Sequence, residues 1–191
     1  MKPLILACIL CMMAAACSNS KEETKNSIVT NDTTSFYPVA SYINNQVKYF
    51  DSTRARFSVV ITEGTKKDST TSQLTGVMPM IQSFIDADIS DSVQKINYKE
   101  SVFRDAGTAS LNINYTSINS LTTIKNIDIL IDEQTSLIKR LFIRKQFQTK
   151  DTTSIEQMSW KTNEGFTKSI SKEASNGFLL NKTIAVRVIL L

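Results

Sequence analysis

The sequence predicts an α+β domain, a strongly bent antiparallel sheet of about six to eight strands packed against two helices. Three observations carry that expectation. From Phe36 to Phe50, and again from Met80 to Ile89, apolar side chains recur at helical spacing, the period that lays one stripe along a helix. From Tyr98 onward the period changes to two, the alternation of strands with one buried side. The alternating runs are joined by short polar links, and strands linked so closely pair as an antiparallel meander. A sheet with one apolar side needs a cover, which the helices or a curling of the sheet must supply.

The chain opens with a positive charge at Lys2, an apolar run from Leu4 to Met13, and Ala14-Ala15-Ala16 directly before Cys17. The run is too short to span a bilayer, and the small residues mark a cleavage point, so residues 1–16 read as a secretory signal peptide. Ser18 to Ser35 is rich in Ser, Thr, Asn and Lys, with Ile28 and Val29 as its only aliphatics. Such a segment buries too little apolar area to fold alone. As a soft coil of eighteen residues it spans about 20–25 Å, and residues 17–35 are taken as a tether.

The single domain then runs from 36 to 191. Phe36, Val39, Ile43, Val47 and Phe50 form a helical stripe, with Pro38 in the first turn, where its missing N–H costs nothing. Arg56 to Glu63 alternates Phe57, Val59 and Ile61 against Arg56, Ser58 and Val60, a strand. Gly64 to Ser72 reads as a polar turn, and a short strand or arm includes Gln73 and Leu74. Pro79 opens a second helix with Met80, Ile81, Phe84, Ile85 and Ile89 on its apolar face and Gly76 just outside it. Asp91 to Asn97 continues it as a separate turn.

Tyr98–Arg104 and Ala109–Thr116 flank Asp105-Ala106-Gly107, the chemistry of a hairpin turn. Strands follow at Lys125–Asp132, Leu137–Gln148, Ser154–Trp160, Phe166–Lys172 and Thr183–Leu190. Their separators, Asp132–Ser136, Thr149–Thr153, Lys161–Gly165 and Glu173–Asn181, hold most of the turn chemistry of this half.

Composition narrows the function. Cys8 and Cys11 lie in the leader, so Cys17 is the one cysteine left after cleavage, and an exported chain that could use disulfides does not. The sequence holds 22 basic and 18 acidic residues; with Lys2 gone the excess is +3, spread along the chain. Nucleic-acid binding would need a clustered basic face, so no nucleic-acid partner is expected. There is no histidine, which removes the commonest general base and metal ligand. No catalytic residues, metal or cofactor are therefore expected. The pairs Ser136/Lys139 and Lys168/Ser171 are expected by chance in a chain this rich in serine and lysine, and Asp86, Asp88 and Asp91 read as solvated carboxylates at a helix end, with a spacing unlike a calcium loop.

Two features are candidate ligand contacts. Arg140 and Arg144 share one face of a strand with Phe142, as an anionic-ligand groove or as long stems covering an apolar surface. Trp160, the only tryptophan, stands at a strand end, as a rim residue or a core residue at a sheet corner.

The leader and Cys17 resemble a bacterial lipoprotein signal, although Ala14 stands where that signal prefers a large aliphatic residue. The resemblance implies that Cys17 becomes the acylated first residue, a palmitate-type anchor, and that Ser18, not being aspartate, directs the chain to the outer membrane. Lys21-Glu22-Glu23 resembles the surface-export signal of lipoproteins from Bacteroidota-type bacteria. Of ten aspartates, five begin triplets of Ser or Thr followed by Thr or Val, at Asp32, Asp51, Asp68, Asp91 and Asp151. These resemble the O-glycosylation sequon of exported proteins of the same group, implying modification at Thr33, Ser52, Ser69, Ser92 and Thr152. All five fall in expected linkers, turns or helix ends, where Asp-Ser and Asp-Thr are also favoured by local hydrogen bonding.

The expectation is an outer-membrane-anchored lipoprotein, periplasmic or surface-exposed, whose domain binds a protein or small molecule or stabilises an envelope assembly, without catalysis. The alternative is a carrier of lipid or acylated protein. The expected layout resembles the LolA/LolB carriers, which also enclose helices in a bent antiparallel sheet; that resemblance is architectural and rests on no motif.

Overall fold

A computed structural model describes residues 35–177 and 179–189. The elements in order are α1 (Val39–Ser52), β1 (Arg56–Glu63), β2 (Lys66–Gln73), α2 (Leu74–Ile85), α3 (Ser92–Lys95), β3 (Tyr98–Asp105), β4 (Ser110–Ser117), β5 (Ile124–Asp132), β6 (Ile138–Gln148), β7 (Thr152–Lys161), β8 (Gly165–Ala174) and β9 (Leu179–Ile189). The mixed α+β class is as expected. The strand count is not: the described residues form nine strands, one or more beyond the expected six to eight, in a single open sheet ordered β2-β1-β9-β8-β7-β6-β5-β4-β3.

The extra strand is β2. Its residues, Lys-Lys-Asp-Ser-Thr-Thr-Ser-Gln, carry no apolar side chain and were expected as a polar turn. The turn is in fact two residues, Gly64-Thr65, with Gly64 at φ +58°, after which β2 pairs with β1 from Glu63↔Lys66 to Arg56↔Gln73. A strand at the sheet edge, exposed almost throughout, has no buried face to require hydrophobic alternation. Backbone hydrogen bonding to β1 alone fixes it.

The second helix also departs from expectation. It starts at Leu74, directly after β2, so Gly76 and Pro79 lie inside it. Pro79 removes one backbone donor, but the helix is held by Val77, Ile81 and Phe84, all fully buried. α2 and the short α3 carry the chain from the β2 edge to the β3 edge. From there the meander β3 to β9 runs back until β9 seats against the free side of β1, with Phe57↔Val188 and Val59↔Val186 in register.

One face of the sheet takes the helices. It contributes Phe57, Val59, Val186, Phe166, Met158, Trp160, Leu141, Ile143, Ile127, Ile129 and Tyr115 to a common core with Val39, Ile43 and Phe50 of α1 and the buried trio of α2. Phe36 precedes α1 but is still buried, its ring 4.4 Å from that of Tyr115. No described helix is long and apolar enough to cross a membrane. Among the described residues no helix packs on the opposite face of the sheet, which carries Arg140 and Arg144.

Candidate functional site

Alternation along β6 sorts its side chains. Leu141, Ile143 and Lys145 point into the core, while Arg140 and Arg144 are exposed on the outer face with Phe142 between them. This sharing of a face is as the sequence implied. Trp160 does not join them. Its register partner is Leu141, on the inner face, and it is wholly buried. The indole stacks on Phe166 (5.3 Å, 13°) and takes Phe84 edge-on (5.2 Å). Of the two readings of Trp160 the core one holds, and as a candidate ligand contact beside Arg140 and Arg144 it is corrected: opposite parity on paired strands puts the tryptophan on the other side of the sheet.

Around Arg140 the outer face is basic. The registers Arg140↔Lys161, Lys161↔Gly165 and Gly165↔Arg187 align four strands, β6 to β9, in one cross-strand row. Gly165 closes the β7–β8 turn at φ +127°, and a Cβ there would stand 2.2 Å from the Val186 carbonyl oxygen. Only glycine fits. The row therefore has a gap where a side chain would stand, and this gap is the floor of an open depression of about 530 Å³ that Arg140, Lys161, Arg187, Ser159 and Thr167 line. The Lys161 ammonium meets Glu164 at 2.5 Å. Among the described residues neither arginine of the row has a carboxylate within ion-pair distance.

Further along the face, Arg144 borders a second open depression of about 700 Å³ with Asn126 and Asp128. Here the polar groups satisfy one another. Asn114 and Asn126 donate to the two oxygens of Asp128 at 2.6 and 2.8 Å, and Thr116 donates to both amide oxygens. A network so closed offers few free donors or acceptors.

The inner face has charge as well. Lys145 is buried, and its ammonium donates to the Ser83 carbonyl at the end of α2 (2.8 Å). Burial pushes its pKa below the ordinary lysine value, against the opposing pull of Glu156. Glu156 itself is paired with Lys168 at 3.1 Å. The sequence signal for this lysine in the core layer is its parity, two residues after Ile143 and four after Leu141 on the buried side of β6.

The other candidates are structural. Asp88 accepts from the Ala40 N–H in the first turn of α1 (2.7 Å), Asp91 accepts from Val93 N–H at the start of α3 (2.7 Å), and Asp86 accepts from the Gln82 amide (2.8 Å). Among the described residues no group of acidic or cysteine side chains could hold a metal ion. Lys139 is engaged by Asp132 at 2.9 Å and Lys168 by Glu156, so each candidate Ser–Lys pair has its lysine committed to a carboxylate. Ser52 ends α1 and Ser92 begins α3, both exposed; Thr152 opens β7 half-buried. Ser69, expected in a turn, lies exposed on strand β2. Cys17, Lys21, Glu22, Glu23 and Thr33 lie outside the described residues.

No protein-family model, no curated protein and no solved structure matches the chain.

Proposed function

We propose that this chain is an outer-membrane-anchored lipoprotein whose domain is a non-catalytic binding or envelope-assembly module, held by acylated Cys17 and the tether to residue 35. The observation that carries the reading is the layering of the domain. Among the described residues α1 and α2 pack on one side of the sheet, and the opposite strand face presents Arg140 and Arg144 to a partner. A leader ending in three alanines before Cys17 supports the anchor. Two acyl-type signals, or one chain with a further attachment, suffice for stable membrane anchoring.

Growth of the host with a clickable palmitate analogue tests the anchor. The wild-type band is expected to take the label and to sediment with outer membranes, and Cys17→Ser to lose both. An unlabelled wild type, or unchanged labelling of the variant, overturns the placement. Protease treatment of intact cells separates the surface-exposed form, which Lys21, Glu22 and Glu23 support, from the periplasmic one. Intact mass of protein from the native host reads the proposed glycans on Thr33, Ser52, Ser69, Ser92 and Thr152; an unmodified polypeptide mass removes them.

The carrier alternative requires a strongly bent sheet around an apolar cavity. Between the helices and the sheet stand Phe50, Phe84, Trp160 and Phe166 in contact with one another, which favours the binding reading. Retention of a fluorescent fatty-acyl probe would favour the carrier.

A further inference from the structure

We infer that the glycine-floored gap between Lys161 and Arg187 is a binding site for a phosphate-type oxyanion, with Arg140 as its third cation. The inference rests on the reading of the outer face as the binding surface, and it supplies the ligand class.

Four features converge on this spot. Arg140 stands directly opposite Lys161, and like charges directly opposite on paired strands repel. Gly165 interrupts the row with a left-handed backbone, where a strand residue would ordinarily carry a packing side chain. The Arg187 and Arg140 guanidinium groups find no carboxylate among the described residues. The hydroxyls of Ser159 and Thr167, in the adjacent row, have no hydrogen-bond partner there either.

The geometry suits a small dianion. Lys161 and Arg187 are two strand spacings apart, roughly 10 Å, and both line the depression with Gly165 between them in the row. Arginine offers two parallel N–H donors to an oxyanion, and the two hydroxyls add neutral donors alongside. Three cations against the one carboxylate of Glu164 leave a net charge of +2. A phosphate monoester is close to a dianion at neutral pH, its second ionisation lying near pH 6. Glu164 also lines the depression, its carboxylate 2.5 Å from the Lys161 ammonium.

The test uses the full chain, purified in non-ionic detergent and titrated at constant ionic strength. Inorganic phosphate is one probe and dihexanoyl phosphatidic acid the other, followed by the amide resonances of Gly165, Thr167 and Arg187. Saturable shifts confined to these strands are expected, with Arg140→Gln/Arg187→Gln weakening binding at least tenfold and Lys67→Ala, at the far edge of the same face, changing it less than twofold. Unchanged Trp160 fluorescence establishes that the double variant is folded. Saturation by both probes identifies the phosphate group itself as the ligand, and saturation by the lipid alone assigns the source to a headgroup. Absence of saturable shifts with either probe, or equal affinity in the double variant, overturns the site. This outcome is independent of Cys17 labelling, so a failed site with a labelled anchor leaves the lipoprotein reading standing, and the converse result leaves the site.

Discussion

At the scale of single residues, backbone geometry and burial decide more than side-chain identity alone. Gly165 is set by both a positive φ and the 2.2 Å approach of the Val186 carbonyl. Gly165→Ala is expected to cost roughly 2–4 kcal/mol, the sum of a strained backbone and a displaced strand, read as a lower urea midpoint. Tyr42 shows burial acting through protons. Its hydroxyl shares a hydrogen bond with Thr162 (2.7 Å), and burial above all, with a smaller push from Tyr37, drives its pKa up to about 12 from 10 although the Thr162 bond opposes this. A raised acid pKa means stability that is complete below pH 10 and lost as pH climbs toward 12. Tyr42→Phe should therefore be less stable than wild type by about 1 kcal/mol at pH 8, the usual worth of one hydrogen bond. That deficit should shrink above pH 10 and reverse in sign before pH 12, because only the wild type loses stability to tyrosinate formation, in denaturant titrations run at each pH; a constant difference would contradict the assignment.

At the scale of elements, α1 depends on a residue 48 positions away. Its N-cap, Pro38, offers no side-chain acceptor, and the Asp88 carboxylate supplies one to the Ala40 N–H while also holding Ser90 N–H at 2.7 Å. A negative group at a helix N-terminus also meets the positive end of the helix dipole. Asp88→Ala is expected to destabilise the domain by about 1–2 kcal/mol, with Asp88→Asn recovering part of the loss; calorimetry would check both. Asp86, two residues earlier and exposed, should tolerate alanine within about 0.5 kcal/mol. The spacing of these aspartates was legible in the sequence as a helix-end cluster, but not the helix that Asp88 would cap. Likewise α1, β1 and the strands of the second half were legible because each has a buried face with its own period. β2 was illegible because it has none, and the start of α2 was hidden because Pro79 and Gly76 mimic the signals of a helix entrance.

At the scale of the molecule, β9 closes the architecture. It lies between β1 and β8 and contributes Val186 to the core, so the β1–β2 hairpin is attached to the remaining strands through it. Removal of residues 179–191 is expected to abolish cooperative unfolding and near-ultraviolet circular dichroism, whereas a peripheral strand would leave a weakened but folded domain. By itself the sequence determined the mixed α+β class of fold, the face of each alternating strand and the absence of histidine. Those properties follow from local periodicity and composition, which act within a few residues. Only the tertiary structure decided that Trp160 belongs to the core, that a wholly polar segment becomes an edge strand, and that Arg140, Lys161 and Arg187 stand in one row around a glycine. Register between strands far apart in the chain sets those relations, because hydrogen bonding and burial of the whole sheet fix it together and no single segment encodes its partner.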